Sequence, residues 1–408
     1  MKHKRVAIVT SVASMIGQFN MRNIVLLQEA GCEVHVICNF QEGNTCDSKS
    51  IQKLQHTLSG MHVHQHTWSC PRKCLPGKCM KAYVCLYRIF RKYSFALVHC
   101  HSPIGGALAR IAAYQFGTPV IYTAHGFHFY QGAPWKNWLL YYPVEKILSF
   151  LTNVLITVNQ EDEQFARRYL HAGTVFRIPG VGVDSRYFST QDIDGAGKAA
   201  GMEFRQIHRI PDDAVLLLSV GELNKGKNHR VVLEALAMLE EEEKEKICYL
   251  ICGQGELKHQ LSAYAEKLHI SRQVRLAGYV ADIRPAYQAA DLFLFPSVRE
   301  GMPVALMEAM AAGLAVIASK IRGNRELIHK KGGLLIQPQD AQGFARAIRK
   351  LVHWKTGMPQ KLEAMGAYNR KQILKYDQSI VDQQMRCIYH QMIDGSLISR
   401  KVLAEKRK

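Results

Sequence analysis

Glu300 and Glu308 stand eight residues apart in the segment Asp291-Leu-Phe-Leu-Phe-Pro-Ser-Val-Arg-Glu300-Gly301-Met302-Pro303-Val-Ala-Leu-Met-Glu308-Ala-Met-Ala-Ala-Gly313. Carboxylates accept hydrogen bonds from hydroxyl groups, and two at this separation can touch different parts of one ligand. The spacing alone says little; the local chain says more. Leu292–Phe295 reads as a buried strand, Pro303 suits the first helical position, helix formers fill 304–312, and Gly313 supplies the stop. A helix entered from a strand end offers backbone N–H groups without intrahelical partners, together with the positive end of its dipole, and so suits a pyrophosphate. Two further candidates follow strand-like runs. Gly253 and Gly255, in Gly253-Gln254-Gly255-Glu256, would let backbone approach a nucleotide or simply form a tight turn. Lys227, in Gly221-Glu222-Leu223-Asn224-Lys225-Gly226-Lys227-Asn228-His229, is either a site residue or a solvated lysine.

The elements that must position these residues are legible as alternating strand-like and helix-length segments. In the first half the strand-like runs are Val6–Thr10, Val34–Cys38, Leu97–His101, Val120–Thr123 and Val154–Val158. In the second they are Val215–Val220, Ile247–Cys252, Val274–Ala277, Leu292–Phe295, Ala315–Ala318 and Gly333–Ile336. Such alternation predicts an α/β fold with parallel sheets covered by helices on both faces. Ligands then bind beyond the carboxyl ends of the strands, and two such sheets facing each other enclose an interdomain cleft. Asp184 to Pro211 is polar, without a sustained apolar period, and is assigned to the linker and the start of the second domain. The domains are placed at residues 1–190 and 191–378, with a helix at 379–395 returning to the first domain and a basic tail at 396–408.

The Glu-Gly-x-Pro turn and the paired glutamates resemble the E-x7-E motif of the retaining family 4 glycosyltransferases, whose GT-B architecture has two facing Rossmann-like domains. The resemblance covers nearly the whole chain. Its finer match is to bacterial enzymes that assemble capsular, exopolysaccharide or lipid-linked glycans. That match is carried by His99-Cys-His101-Ser-Pro-Ile-Gly105-Gly106, by Tyr122-Thr-Ala-His125-Gly126-Phe127-His128-Phe129-Tyr130 and by Asn137-Trp-Leu-Leu-Tyr-Tyr-Pro-Val-Glu145-Lys146. The resemblance implies that Glu300 holds hydroxyls of a donor sugar and that Glu308 accepts from the ribose. It implies that the N–H groups of Val304, Ala305 and Leu306 meet the diphosphate, and that Lys227 neutralises the leaving group. Tyr279 and Val280 would flank a uracil base through their backbone. Gly17, in the loop after strand one, would approach donor and acceptor, and His125 would lie beside the donor sugar. Where many relatives have Gly-Arg-Leu this chain has Gly221-Glu222-Leu223, so one phosphate-binding cation is missing; Arg299 or Lys225 could replace it. The expected reaction is front-face substitution with retention, from a nucleotide sugar such as a UDP-sugar to a polyprenyl-diphosphate-linked or oligosaccharide acceptor, without a metal cofactor.

Composition bounds the alternatives. The chain of 408 residues has 53 Lys and Arg against 34 Asp and Glu, a formal charge of +19, with ordinary apolar content. Wholesale disorder is excluded, and the charge favours anionic partners. No apolar run is long enough to cross a bilayer. Met1-Lys2-His3-Lys4-Arg5 followed by an apolar run mimics a signal peptide, but Val6–Thr10 reads better as a first strand. The 11 scattered cysteines read as reduced and cytosolic. Residues 51–100 hold eight Lys/Arg and no acid, and Tyr83, Tyr87, Phe90 and Tyr93 at helical spacing predict an amphipathic helix packing its aromatic stripe into the first domain. The resemblance places the acceptor on that domain, which implies an anionic cytoplasmic membrane face as the partner of the remaining charge. Trp135, Trp138, Tyr141 and Tyr142 could anchor in the interface or pack in the core. His66, His99, His101, His125 and His128 lack the spacing of a zinc site, as do Cys70, Cys74, Cys79 and Cys85; Asp192-Ile193-Asp194 falls in the linker. A basic nucleic-acid-binding protein would account for the charge but not for Glu300 and Glu308, and no nucleic-acid motif is present. A nucleotide-sugar epimerase or phosphorylase of the same architecture is the remaining alternative.

Overall fold

The computed structural model describes residues 4–41, 48–71, 75–101, 103–189 and 196–397. Asp192-Ile193-Asp194, the Arg72-Lys73-Cys74 triplet and the basic residues from Arg400 onward lie outside them. The chain forms two units, one reaching to Val181 and resuming at Ile380, the other comprising Gly182–Ser379.

The first unit runs β1 (Arg5–Val12), α1 (Ala13–Phe19), α2 (Met21–Glu29), β2 (Glu33–Asn39), α3 (Ser48–Gly60), β3 (His64–Thr67), α4 (Pro76–Tyr93), β4 (Leu97–His101), α5 (Pro103–Gln115), β5 (Val120–Ala124), α6 (Trp135–Ser149), β6 (Val154–Thr157), α7 (Gln160–Tyr169) and β7 (Thr174–Arg177). Its seven strands are parallel in the order β3-β2-β1-β4-β5-β6-β7. Side chains alternate across the sheet. Val6 and Ile8 face one core with α1, α2 and α3; Ala7 and Val9 face another with α4 and α5. The α4 aromatic stripe packs as its period predicts, with Phe90 buried and Tyr83 and Tyr93 against the same core.

A buried ion pair locks the second of these layers. Arg110 on α5 donates to both oxygens of Glu145 on α6 at 3.0 and 3.2 Å, while Tyr122 on β5 donates to the same carboxylate at 3.0 Å. The guanidinium lies 3.9 Å from the Tyr122 ring centre. Gly106 has to be glycine because a Cβ there would stand 2.7 Å from that ring. Gly106, Tyr122 and Glu145, one from each stretch that carries the finer resemblance, thus join Arg110 in one structural lock across α5, β5 and α6.

The second unit continues with α8 (Ala196–Ile207), β8 (Val215–Val220), α9 (His229–Ala237), α10 (Glu241–Lys244), β9 (Ile247–Cys252), α11 (Lys258–Lys267), β10 (Val274–Gly278), α12 (Arg284–Ala289), β11 (Leu292–Phe295), α13 (Val304–Ala311), β12 (Ala315–Ser319), α14 (Arg322–Leu327), β13 (Gly333–Ile336), α15 (Ala341–Gly357) and α16 (Pro359–Ile373). Its six parallel strands are ordered β10-β9-β8-β11-β12-β13. Both sheets therefore begin 3-2-1-4-5-6 in their own strand order, the doubly wound arrangement in which direction reverses between the first and fourth strands. A last helix, α17 (Gln378–Ile393), places Val381, Met385, Ile388, Tyr389 and Met392 in the first unit's core.

Three local expectations need correction. Gly17 lies within α1 rather than in a loop, because β1 runs on to Val12 and the helix starts at Ala13; its Cβ position meets only the Leu54 side chain, at 3.7 Å. Pro303 is the N-cap of α13, with φ −82° and ψ 113°, so Val304 takes the first helical position. The stretch assigned to the linker and the start of the second domain lies within the second unit and, despite showing no apolar period, contains α8, which packs on α12 through the close approach of Gly201 to Gln288.

Candidate active site

In the second unit, the reversal of strand order falls between β8 and β11, and the loops leaving these strands are joined to each other. Val298 N donates to Gly226 O at 2.9 Å. Asn228, in the left-handed conformation (φ 56°), donates to Pro296 O at 3.1 Å and to Pro338 O at 2.7 Å, fastening the first loop to the ends of β11 and β13. This frame brings Lys227 to Glu300: Nζ donates to Oε1 at 2.7 Å, with 24% and 17% of the two side chains exposed. Nζ also lies 5.1 Å from the Phe295 ring centre. The pair is half-buried at the carboxyl edge of the sheet, where open parallel sheets take their ligands.

Glu300 is followed directly by the entrance to α13. Pro303 carries no N–H and caps nothing with its side chain, so the first-turn amides of Val304, Ala305 and Leu306 receive no side-chain acceptor from the N-cap. Five residues on, Glu308 accepts from Tyr287 Oη at 2.8 Å, and burial pushes its carboxyl pKa up. Tyr287 Oη also lies 3.1 Å from Ala305 O. Glu308 is thus held by the helix layer, beneath the first turn.

Gly253 and Gly255 are explained by backbone crowding. A Cβ on Gly253 would overlap Gly221 O, and one on Gly255 would stand 2.5 Å from Leu223 O. The same contact is sealed by Gly221 N to Cys252 O at 3.0 Å and Leu223 N to Gln254 O at 3.0 Å. These glycines bring the loops after β8 and β9 together. Gly253 N donates to Gly278 O at 2.7 Å, which joins the loop after β10, where Tyr279 is 69% exposed and Val280 half-buried.

Arg299 and Lys225 both expose their side chains. The cation that sequence reasoning missed is Arg322, buried at the start of α14, whose Nε donates to Glu300 O at 3.3 Å. Gly323 beside it would clash with Gly301 O at 2.5 Å if it carried a Cβ. The signal was available: Arg322 follows β12, the strand next to β11, at the same sheet edge.

His125 and Gly17 belong to the first unit. His125 follows β5, and its Nε2 is 3.0 Å from His101 Nδ1; His99 Nδ1 is 2.7 Å from Tyr389 Oη. These rings line a small cavity with Phe19, Arg22 and Asp382. Burial lowers the pKa of His99 to about 3 and of His125 to about 4, so both are neutral imidazoles at neutral pH. His66 is elsewhere, 2.9 Å from His35 at the β2–β3 edge. There Glu33 meets His35 at 3.0 Å and His64 at 3.3 Å, but Arg5 already neutralises its other oxygen at 3.2 Å.

The chain is similar to known proteins over most of its length. Residues 202–372 match the family described as glycosyl transferases group 1, and residues 24–184 match the one described as glycosyltransferase family 4. A protein of Bacillus subtilis (strain 168) named as a glycosyltransferase, EpsD, is 35% identical over 401 residues, spanning 96% of this chain and 97% of the relative. The UDP-Gal:alpha-D-GlcNAc-diphosphoundecaprenol alpha-1,3-galactosyltransferase of Escherichia coli is 31% identical over 277 residues, 66% of this chain and 70% of its own. Among solved structures, Anabaena HepE in complex with UDP and glucose superposes with a TM-score of 0.75 over 95% of this chain and 100% of that one, at 16% identity, a likeness of fold.

Proposed function

The chain belongs to family 4 of the glycosyltransferases, with their GT-B fold, and we propose that it transfers a sugar with retention from a UDP-sugar to a polyprenyl-diphosphate-linked glycan in exopolysaccharide or capsule synthesis. The observation that carries this reading is the Lys227–Glu300 pair beside the uncapped N-terminus of α13. A UDP-sugar offers what each partner lacks: sugar hydroxyls for the carboxylate and a diphosphate for the ammonium group. Donor entry therefore exchanges one half-buried ion pair for two charge-assisted contacts. The E. coli relative's name specifies both a UDP-linked donor and a lipid diphosphate acceptor, and the HepE complex contains UDP and glucose; both support the choice of donor.

In the proposed step the bond from the anomeric carbon to the diphosphate oxygen breaks and a bond to the acceptor oxygen forms on the same face. The acceptor proton passes to the departing phosphate oxygen. Lys227 and the first-turn amides of α13 stabilise the charge that develops on the diphosphate, a contribution that grows towards the transition state. These groups supply the positive charge, and the reaction is assigned no metal cofactor. Glu308 accepts from the ribose and Glu300 fixes the sugar. The enzyme works at an anionic membrane surface, where its acceptor resides. Proton NMR of the product tests the stereochemistry: an α-linked product from an α-linked UDP-sugar supports the reading, and a β-linked product overturns it.

A further inference from the structure

Six large apolar side chains on and directly after α6 are exposed: Trp135 (68%), Leu139 (69%), Leu140 (62%), Val144 (46%), Ile147 (66%) and Phe150 (61%). Single exposed apolar residues are ordinary, but a run of this density on one element marks an interaction face. It is built, not frayed. Glu145 is turned inward onto Arg110, and Trp138, Tyr141 and Tyr142 pack partly into the first unit's core, so the opposite side of the helix is forced out. Residues 135, 139 and 147 share one face at helical spacing, and 136, 140 and 144 adjoin it.

The exposed charge of α4, α5 and α6 has one sign: the only carboxylate on these helices, Glu145, is 7% exposed and spent on Arg110. On the neighbouring α7, half-buried Glu161 accepts from Gln131 N and Glu163 pairs with Arg167 and Arg177. Lys136 and Lys146 stand exposed at the two ends of α6. Arg88, Arg91 and Lys92 are exposed on α4, which packs on α5 as α5 does on α6. All three helices turn their inner sides to the same core, opposite the one served by α1, α2, α3 and α17, so their outer sides share one flank of the sheet. Tyr114 on α5, 69% exposed, lies on that flank.

We propose that this flank docks on an anionic bilayer, with the α6 crest inserted at the level of the headgroups and the cations of α4 and α6 on the lipid phosphates. The inference rests on the proposed function only for its biological sense and deepens it by naming the surface; the physical argument is independent. An aromatic and aliphatic crest flanked by Lys and Arg, with no exposed acid, is the composition of an interfacial helix. A second copy of the chain would bring like charges against one another in a twofold contact.

The test is flotation of the full chain with phosphatidylcholine vesicles, with and without phosphatidylglycerol, lacking any glycan lipid. Binding should rise about tenfold or more with the anionic lipid and weaken with salt. Trp135 emission should shift to the blue on binding, and the shift should vanish in Trp135→Phe. Leu139→Glu/Ile147→Glu and, separately, Lys136→Gln/Lys146→Gln should each cut vesicle binding about tenfold. All four positions are exposed, so circular dichroism and UDP calorimetry should stay unchanged. Absence of binding to anionic vesicles, binding that both double variants retain, or a solution dimer that the glutamate variant disperses would each overturn the proposal. Wild-type chain that binds UDP but no vesicle refutes the docking alone; chain that binds vesicles but no UDP refutes the donor assignment alone.

Discussion

Lys227 and Glu300 hold each other at 2.7 Å, so substituting one changes the electrostatics of the other. Lys227→Ala leaves a carboxylate facing the incoming diphosphate. A hydrogen bond to a charged group contributes about 1.5–3 kcal/mol, so UDP affinity should fall roughly 10- to 150-fold by calorimetry. Glu300→Gln should have a different signature: UDP binds as well as before or better, because the ammonium is released, while the UDP-sugar loses its advantage over UDP. Glu308 adds a pH dependence. Burial raises its pKa above the ordinary carboxylate value, and a ribose hydroxyl donates best to the ionised form. UDP affinity should therefore decline as pH falls through that raised pKa, where the carboxyl must shed a proton to bind. A Glu308→Gln variant with weaker, pH-independent binding in this range would bear this out; an unchanged pH profile would refute the role.

At the scale of elements, the Arg110–Glu145–Tyr122 lock makes a stability prediction. Glu145→Ala strands a buried guanidinium, and breaking such a pair costs about 3–5 kcal/mol; replacing both partners by apolar residues should cost much less. Denaturant unfolding of the single and double variants measures the difference. Gly253→Ala drives a Cβ into Gly221 O, a backbone atom that cannot step aside, and should part the loops after β8 and β9. The elements were legible where their residues were uniformly apolar. All six strands of the second sheet are readable as runs such as Val215–Val220: β8, β9, β11 and β12 are buried on both faces, and the half-buried edge strands β10 and β13 remain mainly apolar. β3 and β7 escaped for the opposite reason: His64-Gln65-His66-Thr67 is a polar edge strand, and Thr174–Arg177 buries only one residue. α8 went unseen in the stretch assigned to the linker and the start of the second domain because few of its residues meet the core, Phe204 chief among them. The site followed the same rule. Glu300, Glu308 and Lys227 each follow a readable strand; Arg322 does too, after Ala315–Ala318, and what the sequence does not carry is its burial against the Glu300 backbone.

Across the whole molecule, buried neutral histidines make the fold acid-labile. His99, His125 and His229 have folded pKa values lowered by burial to about 3, 4 and 3, against 6.5 for an unburied imidazole. The unfolded chain binds more protons below pH 6.5, so stability falls as pH drops through that value, by about 2 kcal/mol per histidine at pH 5. Calorimetric melting at pH 7 and pH 5 should show a steep loss of Tm, blunted by His229→Gln if Tyr249 keeps a partner there. The charge of +19 and the expectation of an anionic partner came from composition, but the surface proposed to meet it did not: the outward face of α6 depends on which way Glu145 points, and only packing decides that. The central claim is that the loops after β8 and β11 hold the donor's diphosphate. A crystal structure of the chain with UDP tests it most directly. The account predicts phosphate oxygens within about 2.7–3.2 Å of Lys227 Nζ and of first-turn amides among Val304, Ala305 and Leu306, with the ribose on Glu308. UDP bound away from these groups, with Lys227 still closed on Glu300, would contradict it.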